Sequence, residues 1–199
     1  MLAPPDFGPN DLSPPSRRHL LWLGLAVAAW SAFAVASPSA FRATRPAISG
    51  DLSIAGSRAM SGVVDRWVEI FRREHPEVRV NMILYGSGTA AGAMAEGRAD
   101  VAPLVREMAS NERSLVAAAQ FDPRGIVVGY GPADRTGADE PLLIYVNRGI
   151  GAQPGRAAVE FVRVALSTEG QAALLAGRLP PARRSAAMRA LAKLEADIS

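Results

Sequence analysis

Leu52-Ser53-Ile54-Ala55-Gly56-Ser57-Arg58 and Val78-Arg79-Val80-Asn81-Met82-Ile83-Leu84-Tyr85-Gly86-Ser87-Gly88-Thr89 decide how this chain folds. Each begins as an alternating apolar run, the period of a half-buried strand, and each ends in glycine and serine. Between them Val63, Val64, Trp67, Val68, Ile70 and Phe71 recur at helical spacing from about Met60 to Glu74. His75-Pro76 stops that helix, because proline turns the residue before it away from helical geometry. Thr89 to Glu96 predicts a second, Ala-rich helix halted at Gly97, and Ala99-Asp100-Val101-Ala102 a third strand. Strands and helices alternating at these distances predict an α/β domain with a largely parallel sheet flanked by helices.

The pattern continues. Ser110 to Ala119 reads as a helix with Ser110 as its N-cap. Two strand-like runs follow, Gly125 to Tyr130 and Leu142 to Val146, joined by a turn-rich loop from Gly131 to Pro141. Ala157 to Leu166 is amphipathic, with Val159, Phe161, Val162, Ala165 and Leu166 toward the core. A short helix starts at Ser167 and ends near Gly177. Pro180-Pro181 then separates it from a last helix over Ala182 to Asp197, with Met188, Leu191 and Leu194 on one side. Residues 50–103 and 124–147 are expected to share one sheet.

Ahead of this lies different material. Met1 to Pro15 has no periodicity and is rich in Pro, Gly and Asp, the signature of disorder. Ser16-Arg17-Arg18-His19 then introduces an uncharged apolar run from Leu20 to Ala36, roughly 17 residues, nearer a signal-peptide core than a full span. Ala34-Val35-Ala36 suits cleavage before Ser37, and Ser-Arg-Arg-x-Leu-Leu resembles a twin-arginine export signal. The alternative is an uncleaved inner-membrane anchor. Either way the folded part is expected outside the cytoplasm, in the periplasm, touching the membrane only through residues 1–36. The expected organisation is residues 1–36 as tail plus leader or anchor, 37–49 as linker and 50–199 as one domain.

Composition narrows the function. The chain has no cysteine, so neither disulfides nor thiolate metal sites are available. The net charge of +3 comes almost wholly from dispersed arginines, which excludes a basic nucleic-acid face. After the leader His75 is the one histidine, and it sits at a helix end. Ser–His and Cys–His nucleophile pairs and histidine zinc sites are thereby set aside. Gly86-Ser87-Gly88 is not a nucleophile elbow, since Tyr85 stands two residues before the serine. No Lys-Ser or Lys-Thr pair follows it, so it is not a Walker loop either. No enzyme activity, cofactor or metal is expected.

What remains is the pair of glycine–serine loops. A helix start leaves backbone N–H groups unpaired and carries partial positive charge, so it suits an anion. In a βαβ layout Ser57 and Ser87-Gly88-Thr89 lie at one carboxyl edge of the sheet, and Arg106 follows the third strand to that same edge. Ser57, Arg58, Ser87, Gly88, Thr89 and Arg106 are therefore the expected oxyanion-binding residues. Asp100 is expected to shape the strand end.

At this point the chain resembles the phosphate-binding periplasmic proteins, the substrate-binding subunits of phosphate ABC importers. The resemblance rests on Gly56-Ser57, Phe71-x-x-x-His75-Pro76-x-Val78-x-Val80, Gly86-Ser87-Gly88-Thr89 and Ala99-Asp100-Val101-Ala102 with Arg106-Glu107-Met108. It resumes in Pro141-Leu142-Leu143-Ile144-Tyr145-Val146-Asn147 and in Phe161-Val162-x-x-Ala165-Leu166-Ser167-x-Glu169-Gly170-Gln171. It implies one lobe of a type II periplasmic-binding-protein fold, with inorganic phosphate or a similar oxyanion as ligand and an ABC permease or another envelope protein as partner.

The departures from that family are specific. Where its members carry a much longer stretch that builds most of a second lobe, this chain has Gly131 to Pro141. The family's acidic ligand falls near Val105, where no carboxylate stands, and its hydroxyl near Ala59 or Met60 has Ser61 as nearest substitute. A micromolar site is worth about −8 kcal/mol, so one lobe supplying about half leaves affinity near millimolar. The expectation is weak oxyanion binding; the alternative is an envelope scaffold that kept the lobe and lost the ligand.

Overall fold

The computed structural model describes residues 47–131, 140–149 and 154–196. The leader, most of the expected linker and the centre of the 131–141 connector lie outside the described residues. Those described belong to one compact unit, Pro46–Ser199. None of their helices is long and apolar enough to cross a membrane.

Among the described residues five strands form one sheet in the order β2-β1-β3-β5-β4. They are β1 (Gly50–Gly56), β2 (Val78–Leu84), β3 (Val101–Leu104), β4 (Arg124–Gly131) and β5 (Glu140–Val146). β1 pairs in parallel with β2 and with β3, whereas β5 runs antiparallel to both β3 and β4. Four strands thus point one way and β5 is reversed, so the expected largely parallel sheet is mixed. A parallel return from β4 would need a crossover of a dozen or more residues, and the connector between Gly131 and Glu140 is too short for one.

Six helices cover the two faces: α1 (Ser61–Glu74), α2 (Ser87–Ala95), α3 (Ser110–Ala118), α4 (Arg156–Leu166), α5 (Thr168–Ala176) and α6 (Arg184–Ala196). On one face Trp67 and Phe71 of α1 and Phe161 of α4 pack edge-on, with Leu52, Ile54, Ile144, Leu174, Leu191 and Leu194 around them. On the other, Ala90, Ala91 and Met94 of α2 and Val116 of α3 pack against Leu104, Leu143 and Tyr145. β5 alternates between the two cores, Leu142, Ile144 and Val146 to one side and Leu143 and Tyr145 to the other.

The helix boundaries have local causes. α1 ends at His75, whose N–H donates to the Phe71 carbonyl at 2.8 Å, and Arg72 and Arg73 in its last turn suit the negative end of the helix dipole. Ser167 caps α5 by accepting the Gly170 N–H at 3.0 Å. In α6 the buried residues are Ala187, Leu191 and Leu194, while Met188 is exposed. The expected position of Met188 is corrected, because i, i+4, i+7 from Ala187 is the stripe that meets the sheet.

Topology then sets where a ligand can approach. From β1 the chain passes through α1 on one face to β2, and from β2 through α2 on the opposite face to β3. β1 and β3 are neighbours, yet the segments leaving their carboxyl ends turn to opposite faces. A crevice opens at such a switch point.

Candidate functional site

Three segments meet at that edge. Gly56 ends β1 so close to β3 that a Cβ on it would lie 2.4 Å from the Pro103 carbonyl oxygen. Glycine is required there by contact alone. The next residue, Ser57, is buried and donates its N–H to that same oxygen at 2.8 Å. Ser57 then precedes a single 3-10 turn, Arg58–Met60, that runs into α1. Its side chain makes no capping bond, and the N–H groups of Arg58 and Ala59 open the helix, where no earlier helical carbonyl accepts them. Arg58 is exposed at this start. Ser61, half-buried, is the first residue of α1, and its N–H donates to the Arg58 carbonyl.

The second segment follows β2, whose Leu84 is paired with Gly56. Gly86 is the N-cap of α2 with an extended backbone and, having no side chain, caps nothing. α2 therefore starts at Ser87, two residues earlier than expected. Ser87 is half-buried, and Gly88 and Thr89 are exposed. The Thr89 hydroxyl donates to the Gly86 carbonyl at 2.8 Å. In this structure the hydroxyl proton is thus directed to backbone.

The third segment leads from β3 to α3. The Met108 N–H donates to the Tyr145 hydroxyl at 3.0 Å, and Arg113 donates to the Met108 carbonyl. Room for the Tyr145 ring comes from Gly125, where a Cβ would stand 2.9 Å from the ring. The loop so held presents Arg106, and its guanidinium is occupied. Nη1 and Nη2 donate to Glu112 Oε2 and Oε1, both at 2.7 Å, and Nη1 also reaches the Glu107 carbonyl at 2.8 Å. The fork is bidentate, the strong arrangement for arginine and carboxylate.

Glu112 has two further contacts. Its Oε2 accepts the Ala109 N–H at 2.7 Å, so it holds the start of α3 as well as Arg106. Its Oε1 would lie 3.8 Å from a Cβ on Gly88, beside the start of α2. The Arg106 hydrogen bonds are the main cause of a lowered Glu112 pKa, opposed by burial and helped by the Ala109 N–H and the arginine charge. Arg106 is raised by the same hydrogen bonds, against a smaller effect of burial. Both stay ionised at neutral pH.

The edge thus collects Ser57, Arg58, Ser61, Ser87, Gly88, Thr89 and Arg106 at the ends of β1, β2 and β3, but Arg106 is charge-compensated. Sequence reasoning missed Glu112. Glu112 lies in the first turn of α3. The available signal was Glu112 three residues after Ala109, the reciprocal position of a capping box. It was hidden because Ser110, the better capping residue, is already helical and Ala109 is the N-cap. Asp100 lies at the other end of β3, where its carboxylate accepts the Ser53 N–H at 2.7 Å and ties β3 to β1, the shaping role expected of it.

Residues 42–133 match the PBP superfamily domain. Over 101 residues the chain is 31% identical to the phosphate-binding protein PstS of Pseudomonas aeruginosa, an alignment spanning 51% of this chain and 29% of that protein. The chain therefore spans less than a third of that relative's length. A possible phosphate-binding protein from Planctomyces limnophilus shares the fold with TM-score 0.63 at 10% identity, over 77% of this chain and 100% of that one. A putative phosphate ABC transporter substrate-binding protein from Clostridium perfringens, solved with bound phosphate, gives 0.51 at 11% identity, over 67% and 100%. Over part of its length the chain is thus similar to phosphate-binding proteins in sequence and shares their fold.

Proposed function

We propose that this chain is an exported substrate-binding-protein-like domain that binds phosphate or a related oxyanion weakly at the carboxyl edge of its sheet, in the service of an ABC-type importer. The observation that carries the reading is the meeting of two uncapped helix starts, at Ser57 and at Gly86, with the exposed cation Arg58 beside one of them. The names of the relatives support phosphate as the anion. The role is binding and not catalysis. Weakness follows from the compensated arginine, the committed Thr89 hydroxyl and an edge open to water, where helix-end charges are screened.

Titration of the full chain with phosphate and with sulfate, read by amide chemical shifts, tests this. Saturable shifts at Ser57, Arg58 and Gly86 to Thr89 at millimolar anion support it. No shift at tens of millimolar favours a second reading, an envelope interaction protein that kept the lobe and lost the ligand. One observation speaks for that reading. Met82, Ile83 and Tyr85 are exposed along the outermost strand β2 and just past it, next to the loop that starts α2. Such an apolar strip suits a protein partner better than solvent.

Export is part of the same proposal. Replacing Arg17 and Arg18 together by lysine is expected to hold precursor in the cytoplasm if residues 16–36 act as a twin-arginine signal. Unchanged export assigns them to the general secretion route or to an anchor.

A further inference from the structure

At the opposite edge of the sheet, where β4 begins beside the last turns of α6, lies a cleft of about 310 Å³. That is the small end of the range for small-molecule sites, ~300–1,000 Å³. Its floor is apolar, built from Ile126 of β4 and from Ala190 and Leu194, which lie four apart on one face of α6. The Cβ position of Gly125 points at Tyr145 on the other face of the sheet, so its neighbours Arg124 and Ile126 face α6. Arg124 and Lys193, the one lysine of the chain, give the rim its charge.

Among the described residues the rim is positive and incompletely satisfied. Asp122, also on it, is divided between Arg148 at 2.6 Å and Arg124 Nη2 at 3.2 Å, one carboxylate against two guanidinium groups. Glu195, the nearest acidic neighbour in sequence to Lys193, is paired with Arg163 of α4 at 2.5 Å. Arg124 Nε is buried and has no hydrogen-bond partner. A buried donor without an acceptor is rare, and it marks a position that an acceptor would relieve.

We infer that this cleft binds an organic monoanion, a carboxylate on a short aliphatic body. The carboxylate accepts from the exposed part of the Arg124 guanidinium and from the Lys193 ammonium, and the aliphatic part lies over Ile126 and Leu194. The apolar floor favours an anion with an aliphatic tail over inorganic phosphate. The inference is independent of the oxyanion reading, since it rests on residues at the other edge.

Hexanoate titrated into the full chain is the test, with hexanol as the uncharged control and inorganic phosphate as the anion without a tail. Saturable amide shifts are expected at Gly125, Ile126, Lys193 and Leu194 and not at Gly86 to Thr89. Lys193→Gln, at an exposed site that leaves the fold intact, is expected to weaken hexanoate about tenfold, the weight of one charge-assisted hydrogen bond. Arg124→Gln is expected to do the same or more. Three results each overturn the inference: no hexanoate shifts at those residues, affinity unchanged from the parent in both variants, or phosphate or hexanol saturating the same residues as tightly as hexanoate.

Discussion

Glu112→Gln should strengthen oxyanion binding at the loop edge, although it removes the partner of Arg106. In the parent protein Glu112 is 11% exposed and Arg106 is 40% exposed. The carboxylate is therefore poorly screened while the guanidinium still has an open side. An anion reaching that open side would stand about 6 Å from the carboxylate, a repulsion of about 0.7 kcal/mol in water and about 2.8 kcal/mol at an effective dielectric of about 20. Neutralising Glu112 should then raise affinity between about threefold and about a hundredfold, centred near tenfold. Glutamine keeps a carbonyl for the Ala109 N–H, so the start of α3 should persist at a cost of about 1 kcal/mol. Calorimetric titration of both proteins with phosphate, with urea unfolding as the control for folding, measures the two effects. A folded Glu112→Gln protein that binds phosphate no better than the parent would refute the reasoning, and Arg106 would then face no ligand.

Acid unfolding should show the same pair from the stability side. Glu112 is lowered in the folded protein, so the unfolded chain binds its proton more readily. Its contribution is complete above the ordinary value of 4.5 and is lost as pH falls through the lowered folded value. Glu112→Gln should therefore flatten the loss of stability below about pH 4.5, measured by urea midpoints against pH. Gly170→Ala should destabilise the fold by about 3 kcal/mol or more, since its Cβ would stand 2.0 Å from the Val164 carbonyl oxygen. The Gly170 carbonyl also accepts the buried Trp67 Nε1–H at 2.9 Å, so a shift of this backbone disturbs the aromatic core. A midpoint within error of the parent would mean that the α4–α5 turn opens without cost.

Most of the elements were legible in the chain because their causes are local. Val63 to Phe71 makes a helix by its own period, Pro76 ends it, and Gly86 and Gly177 punctuate the chain whatever packs around them. The single sheet, and loops of β1 and β2 at one edge, followed from alternating strands and helices. The reversal of β5 was partly readable, since the connector before it is too short for a crossover, but its insertion between β3 and β4 was not. Strand order depends on which faces bury each other, and a one-dimensional period carries no such information. In α6 the sequence offered Met188 and the sheet took Ala187, a choice made by the rotation of the helix against its neighbours.

The candidate site divides the same way. Glycine, serine and threonine at strand ends state in sequence that a helix starts without a bulky cap, and this gave Ser57, Ser87 and Gly88 their positions. What each polar group is free to do was settled only in three dimensions. The Ser57 N–H goes to Pro103, which stands beside it only because β1 and β3 are neighbours. The Thr89 hydroxyl turns back on Gly86. Arg106 is neutralised by Glu112, six residues on, because the Tyr145 hydroxyl holds the loop between them in place. Hydrogen-bonding capacity is a property of a residue type, but its allocation depends on distances of a few ångströms between segments that the sequence leaves far apart.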